Sequence, residues 1–123
     1  MIPKTTDFTM SSCKDVHPGD IWLTYLHFID KPETGKVRPV LVVDVREEDL
    51  LVVALKVTSK TKDDGRRDMA IENWQSAGLV KPSYIRLDQA FELRISDLLR
   101  DEPLGAIDES LLEQVLTRVR EGR

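Results

Sequence analysis

The chain has 123 residues, 41% of them hydrophobic and 33% charged, which suits one domain with a real core and excludes a mostly disordered protein. Its formal charge of −4 argues against indiscriminate nucleic-acid binding, and no apolar run approaches the ~20 residues of a membrane helix. The single cysteine, Cys13, cannot close an internal disulfide, so a cytoplasmic protein is expected, with no membrane association and no secretory signal at the N-terminus.

Residues 1–17 are polar and aperiodic up to Pro18-Gly19, and the expected division is a loose leader over 1–17 and one domain over 18–123. Asp20–Phe28, DIWLTYLHF, is rich in Ile, Trp, Tyr and Phe and reads as a strand. IDKPETGK is an exposed loop. RPVLVVDV is a second strand, with Pro39 near its start, where a missing N–H matters least. REED turns the chain into DLLVVALKVTS, a third strand, and the pair should form an antiparallel hairpin.

TSKTKDDGRR is again loop, DMAI a short strand, and NWQSAG a single turn ending at Gly78. In PSYIRLD, Tyr84 and Arg86 alternate with Ile85 and Leu87, as in a half-buried strand. AFELRI extends the sheet, whereas SDLLRDEPLGA fits no single element. Asp108 is an N-cap, Glu109 sits in the first helical turn, and Leu111, Leu112, Val115, Leu116 and Val119 form one stripe before Gly122. Short strands followed by one amphipathic helix describe an α+β fold: a strongly bent, barrel-like antiparallel sheet closed by a C-terminal helix.

Charge is unevenly spread. Residues 31–86 carry eleven Lys and Arg against nine acids, while both flanking segments are acidic. The middle third is therefore the only candidate polyanion surface. Lys31, Lys36, Lys60, Lys62, Arg66, Arg67 and Arg86 are its candidate groove cations. Trp22, Phe28, Trp74 and Tyr84 are aromatic enough to stack bases, but aromatics in strands more often serve core or interface. Cys13, His17 and His27 do not make a zinc set, and no metal or other cofactor is expected.

Three stretches, in this order, resemble the MazF/PemK family of toxin ribonucleases from bacterial toxin–antitoxin pairs: PGDIWLTYL (18–26), ETGKVRPVLVV (33–43) and VTSK (57–60). Similarity continues through AGLVKPSYIRLDQ and LGAIDESLLEQVL, covering about residues 18–119. The chain departs from the family in carrying Asp44 where Ser is usual and Val57 near a usual Pro; residues 1–17 have no counterpart. The resemblance implies an SH3-like barrel, a homodimer, and metal-independent cleavage of single-stranded RNA. It also implies an antitoxin partner whose acidic or disordered tail occupies the RNA groove.

Such cleavage uses the neighbouring 2′-hydroxyl as nucleophile and yields a 2′,3′-cyclic phosphate and a 5′-hydroxyl. It requires a proton acceptor, a proton donor and hydrogen-bond donors to the phosphorane. Arg38, the Arg of RPVLVV, offers a planar fork of donors and suits charge stabilisation better than proton transfer. Thr58 and Ser59 follow; alternation along a strand lets only one of them share a face with Arg38, and the family pattern favours Thr58. Glu33 matches a loop acid of some family members and is the candidate proton acceptor. His17 and His27 are not assigned to the site. A second reading, favoured by the net acidity, keeps the same barrel as an inactive protein-binding module. Topoisomerase-poisoning relatives act through a C-terminal segment with Trp and Gly, whereas this chain ends VREGR.

Overall fold

The computed structural model describes residues 15–27, 33–59 and 68–121. Its elements are β1 (Asp20–His27), β2 (Gly35–Arg46), β3 (Leu51–Thr58), β4 (Asp68–Ile71), β5 (Ser83–Arg94), β6 (Leu98–Leu99), β7 (Gly105–Ala106) and α1 (Glu109–Glu121). Short 3-10 turns at Glu47–Asp49 and Ile95–Asp97 follow β2 and β5. The strands form one antiparallel path, β4-β5-β3-β2-β1-β6, with β7 added on β1. The expected hairpin is β2–β3, and its REED turn ends on Leu50 in the left-handed region at φ 57. The ambiguous stretch 96–106 supplies the two shortest strands.

Connectivity forces the sheet to curl. β5 and β6 are four steps apart in the strand order, about 19 Å across a flat sheet, yet only residues 95–97 join them. The four Cα steps from Arg94 to Leu98 reach at most roughly 14 Å. The far end of β5 must therefore bend back toward β1. A register shift in the β3–β5 ladder helps: Leu55 pairs with Ala90 but Lys56 with Arg86, leaving 87–89 as a bulge on β5. Among the described residues no ladder joins β4 to β6, so the barrel expected from the resemblance is here a curled sheet with open edges.

Two apolar clusters explain the near-continuous hydrophobic runs of β2 and β3. Inside the curl lie Val16, Trp22, Val40, Val42, Val52, Ala54, Ile95 and Leu98. On the outer face lie Ile21, Leu41, Leu55, Val57, Ile71, Ala77, Ile85 and Val115, with Leu111 and Val119 of α1 packed onto them. Because both faces are covered, alternate residues on one strand are buried in opposite directions. The helix is capped as expected: Asp108 Oδ1 accepts from Leu111 N–H at 2.8 Å.

Two side chains are buried where the local pattern gives no sign of it. Val16, assigned to the leader, is 6% exposed and packed inside the curl, and His17 N–H donates to Asp20 Oδ2 at 2.9 Å. Ordered contacts thus begin before Pro18, while residues 1–14 lie outside the described residues. Arg86, placed on the exposed half of an alternating strand, is buried at 8% exposure because β4 covers that row.

Candidate nucleic-acid interface

Opposed residues of an antiparallel pair project on the same face, so the ladders give the composition of the concave face row by row. One row runs Trp22–Val40–Lys56–Arg86–Asp68 from β1 to β4. The β2–β3 ladder ends at Val40–Lys56. Two residues further out on each strand, past the last paired positions, come Arg38 and Thr58, which alternation puts on that same face. Thr24 opposes Arg38 from β1, and Tyr84 opposes Thr58 from β5. Inward of these rows the face is apolar; outward it is polar, so the mouth of the curl carries hydroxyls and guanidinium.

Arg38 is exposed and, among the described residues, makes no ion pair. Thr24, beside it, is buried, and its Oγ1 donates to the Asp97 carbonyl at 2.9 Å. That bond ties the Arg38 row to the β5–β6 crossing. Thr58 is half-buried at the last position of β3. Ser59 follows it in a bend just past the strand end, half-buried. Lys36, exposed and two residues before Arg38, shares the concave face. Glu33 is exposed and precedes β2 by two residues, up to about 16 Å along the chain from Arg38. It lies on the rim, outside the Arg38–Thr58 row. Lys31, Lys60, Lys62, Arg66 and Arg67 fall outside the described residues.

Arg86 does not stand on the rim as a solvated groove cation. Its Nε is 3.0 Å from Asp68 Oδ1, with the two side chains 9% and 4% exposed, and that nitrogen makes no directed hydrogen bond. Two residues of this row went unnoticed in the sequence. Lys56 sits inside an apolar strand, and Asp68 opens the short strand DMAI. The signal for Lys56 was there: Val52, Ala54, Lys56 and Thr58 alternate on one face, and a lysine there breaks an apolar pattern. Trp22 is fully buried, with its Nε1–H 3.3 Å from Asp20 Oδ2, and Trp74 packs under α1. Tyr84 alone of the described aromatics stands in the polar rows.

A cleft of about 580 Å³ between β4, the 72–78 turn and the start of α1 lies elsewhere, lined by Ile71, Asn73, Asp108 and Gln114 among others. It contains none of the expected site residues.

A family model for the PemK-like, MazF-like toxin of type II toxin–antitoxin systems matches residues 17–122. The chain belongs to this family. Solved structures with this fold include the toxin MazF-mt6 of Mycobacterium tuberculosis, 21% identical, with 81% of this chain and 90% of that one covered at a TM-score of 0.60. Two crystal forms of MazE-MazF from Deinococcus radiodurans are each 20% identical. One covers 84% of this chain and 91% of that one at a TM-score of 0.63. The other covers 85% and 91% at 0.65. No curated protein sequence matches the chain.

Proposed function

We propose that this MazF-like chain is a metal-independent endoribonuclease that cuts single-stranded RNA and is restrained in the cytoplasm by an antitoxin. The reading is supported by Arg38 and Thr58 falling, by alternation, on the same face of the neighbouring strands β2 and β3 in a family toxin domain. The exposed Arg38 guanidinium donates to the non-bridging oxygens of the scissile phosphate, where charge grows as the phosphorane forms. Thr58 Oγ1 donates to the same group. The 2′-hydroxyl loses its proton and its oxygen bonds to phosphorus; the P–O5′ bond breaks, and O5′ takes up a proton. Products are a 2′,3′-cyclic phosphate and a 5′-hydroxyl. Glu33 on the rim is the acid proposed to accept the 2′-proton, and Lys36 draws the strand across the face.

The antitoxin reading draws on the MazE-MazF relatives, in which MazF is paired with a second protein, MazE. By the same likeness the working form is a homodimer. An acidic or extended antitoxin segment would compete with RNA for the concave face, since both place negative charge beside Arg38 and Lys36.

The test is cleavage of single-stranded RNA in EDTA. Wild type should cut, with cyclic-phosphate ends, while Arg38→Ala and Thr58→Ala should each lose about 100-fold or more in kcat. An inert wild type, or substitutions that cut at the wild-type rate, would refute the reading. An inert wild type that binds a partner tightly would establish the binding-module alternative instead.

A further inference from the structure

Among the described residues, one aromatic ring stands at the mouth of the curl. Trp22 is fully buried, Trp74 packs under α1, Phe91 opposes Ala54 in the apolar part of the concave face, and Tyr25 opposes Val37 on the other face of β1 and β2. Tyr84 differs from all four. It opposes Thr58 on β3 and Ala70 on β4, two residues outward from Arg86, and is half-buried. Opposed side chains stand about 5 Å apart at Cβ, so the Thr58 side chain lies on one side of the ring. On the other is the exposed Ala70, which has no atom beyond Cβ to cover it. A ring here gains little from packing: its row neighbours are a threonine and an alanine, and the next row inward is Lys56–Arg86–Asp68.

What Tyr84 offers is a flat apolar face beside a polar rim. In the strand order β5-β3-β2, Thr58 is one strand away, about 4.8 Å, and Arg38 two strands away, about 10 Å. A nucleobase hangs from its backbone phosphate through a single sugar, so a phosphate held by Arg38 and Thr58 leaves a neighbouring base within reach of the ring. We propose that Tyr84 is a stacking platform for the base of one of the two nucleosides joined by the scissile phosphate. This rests on the RNA-cleaving reading and adds to it a base-binding subsite on β5. Unstacked single-stranded bases lie readily on aromatic rings, and every base offers a π-face. The contact therefore sets the register of the strand against Thr58 without reading sequence by hydrogen bonds. The ring touches no reacting atom, so its grip is alike in ground and transition states and is felt in KM.

The experiment pairs steady-state cleavage by the full chain, at the RNA site wild type prefers, with binding to a 2′-O-methyl copy of that site, which cannot be cut. The copy carries 2-aminopurine on one side or the other of the scissile position; its fluorescence falls when the base stacks on an aromatic ring. Tyr84→Leu keeps an apolar side chain in the row and removes the ring. It should raise KM and the Kd of the copy about tenfold, keep kcat within about threefold, and lose the quenching at one of the two positions. Tyr84→Phe should match wild type in all three. A Tyr84→Leu that binds and quenches like wild type overturns the proposal. So does a fall in kcat at constant KM, or a Tyr84→Phe as weak as Tyr84→Leu, which assigns the effect to the hydroxyl. With an active wild type, those results remove only the Tyr84 subsite. A wild type that cuts nothing removes the parent reading; quenching in mixed-sequence 2′-O-methyl strands then decides Tyr84 alone, and a wild type that binds none of them removes both. If Tyr84→Leu fails to fold, Tyr84→Met takes its place.

Discussion

Asp68→Asn is the sharpest test of the buried Arg86–Asp68 pair. The substitution is nearly isosteric and leaves Arg86 with its charge, 9% exposed, facing Lys56 across the β3–β5 ladder. Removing one partner of a buried pair costs about 3–5 kcal/mol, because the surviving charge is uncompensated. An amide still offers one acceptor, so the lower figure applies, about 3 kcal/mol. For 123 residues the unfolding entropy near the midpoint is about 0.26 kcal/mol per kelvin, which makes the loss roughly 12 °C in Tm. Calorimetry at low and moderate salt should find it nearly salt-independent, since buried charges are weakly screened. The double substitution Asp68→Leu with Arg86→Met should return to within about 1 kcal/mol of wild type. A fall below about 3 °C for Asp68→Asn, or a double variant as unstable as the two singles summed, would refute the assignment of a buried, mutually dependent pair.

Gly78→Ala should lower stability by more than about 2 kcal/mol, since φ is +86 and any Cβ overlaps the Leu104 carbonyl. Gly19→Ala should cost only about 1 kcal/mol, because φ is +98 but the nearest atom, Leu112 Cδ2, lies at 3.4 Å; urea midpoints compare the two directly. Asp108→Ala removes the cap bond to Leu111 N–H and should cost about 1 kcal/mol, read as a drop of roughly 4 °C in Tm. Ser59→Ala should keep cleavage within about twofold while Thr58→Ala loses it, since Thr58 is the last residue of β3 and Ser59 lies beyond the strand in a bend; equal losses would place the hydroxyl requirement wrongly.

Local chemistry made much of the architecture legible. The aromatic and β-branched runs became β1, β2 and β3, and REED became the hairpin turn. Asp108 with the Leu111, Val115 and Val119 stripe became a capped helix on the outer cluster. These features arise from neighbours in sequence: propensity, period and turn residues act within a few positions. Arg38 and Thr58 were legible for a different reason, the order of short motifs matching a known family.

Arg86 shows where that kind of reading stops. Alternation identified its strand, but not that β4 would lie along it and bury the row with Asp68 as partner. Lys56 was missed for the same reason. Its neighbours in space, Val40 and Arg86, are 16 and 30 positions away in the chain.

By itself, the sequence determined which segments are strands, where the helix starts, and that positive charge gathers in the middle of the chain, because each depends on a short stretch of side chains. Tertiary structure alone decided which charges meet. A ladder brings distant residues onto one face by register, and the bulge at 87–89 resets that register between Leu55 and Lys56. Pairing across a curled sheet is a property of strand order and closure, which no local pattern encodes.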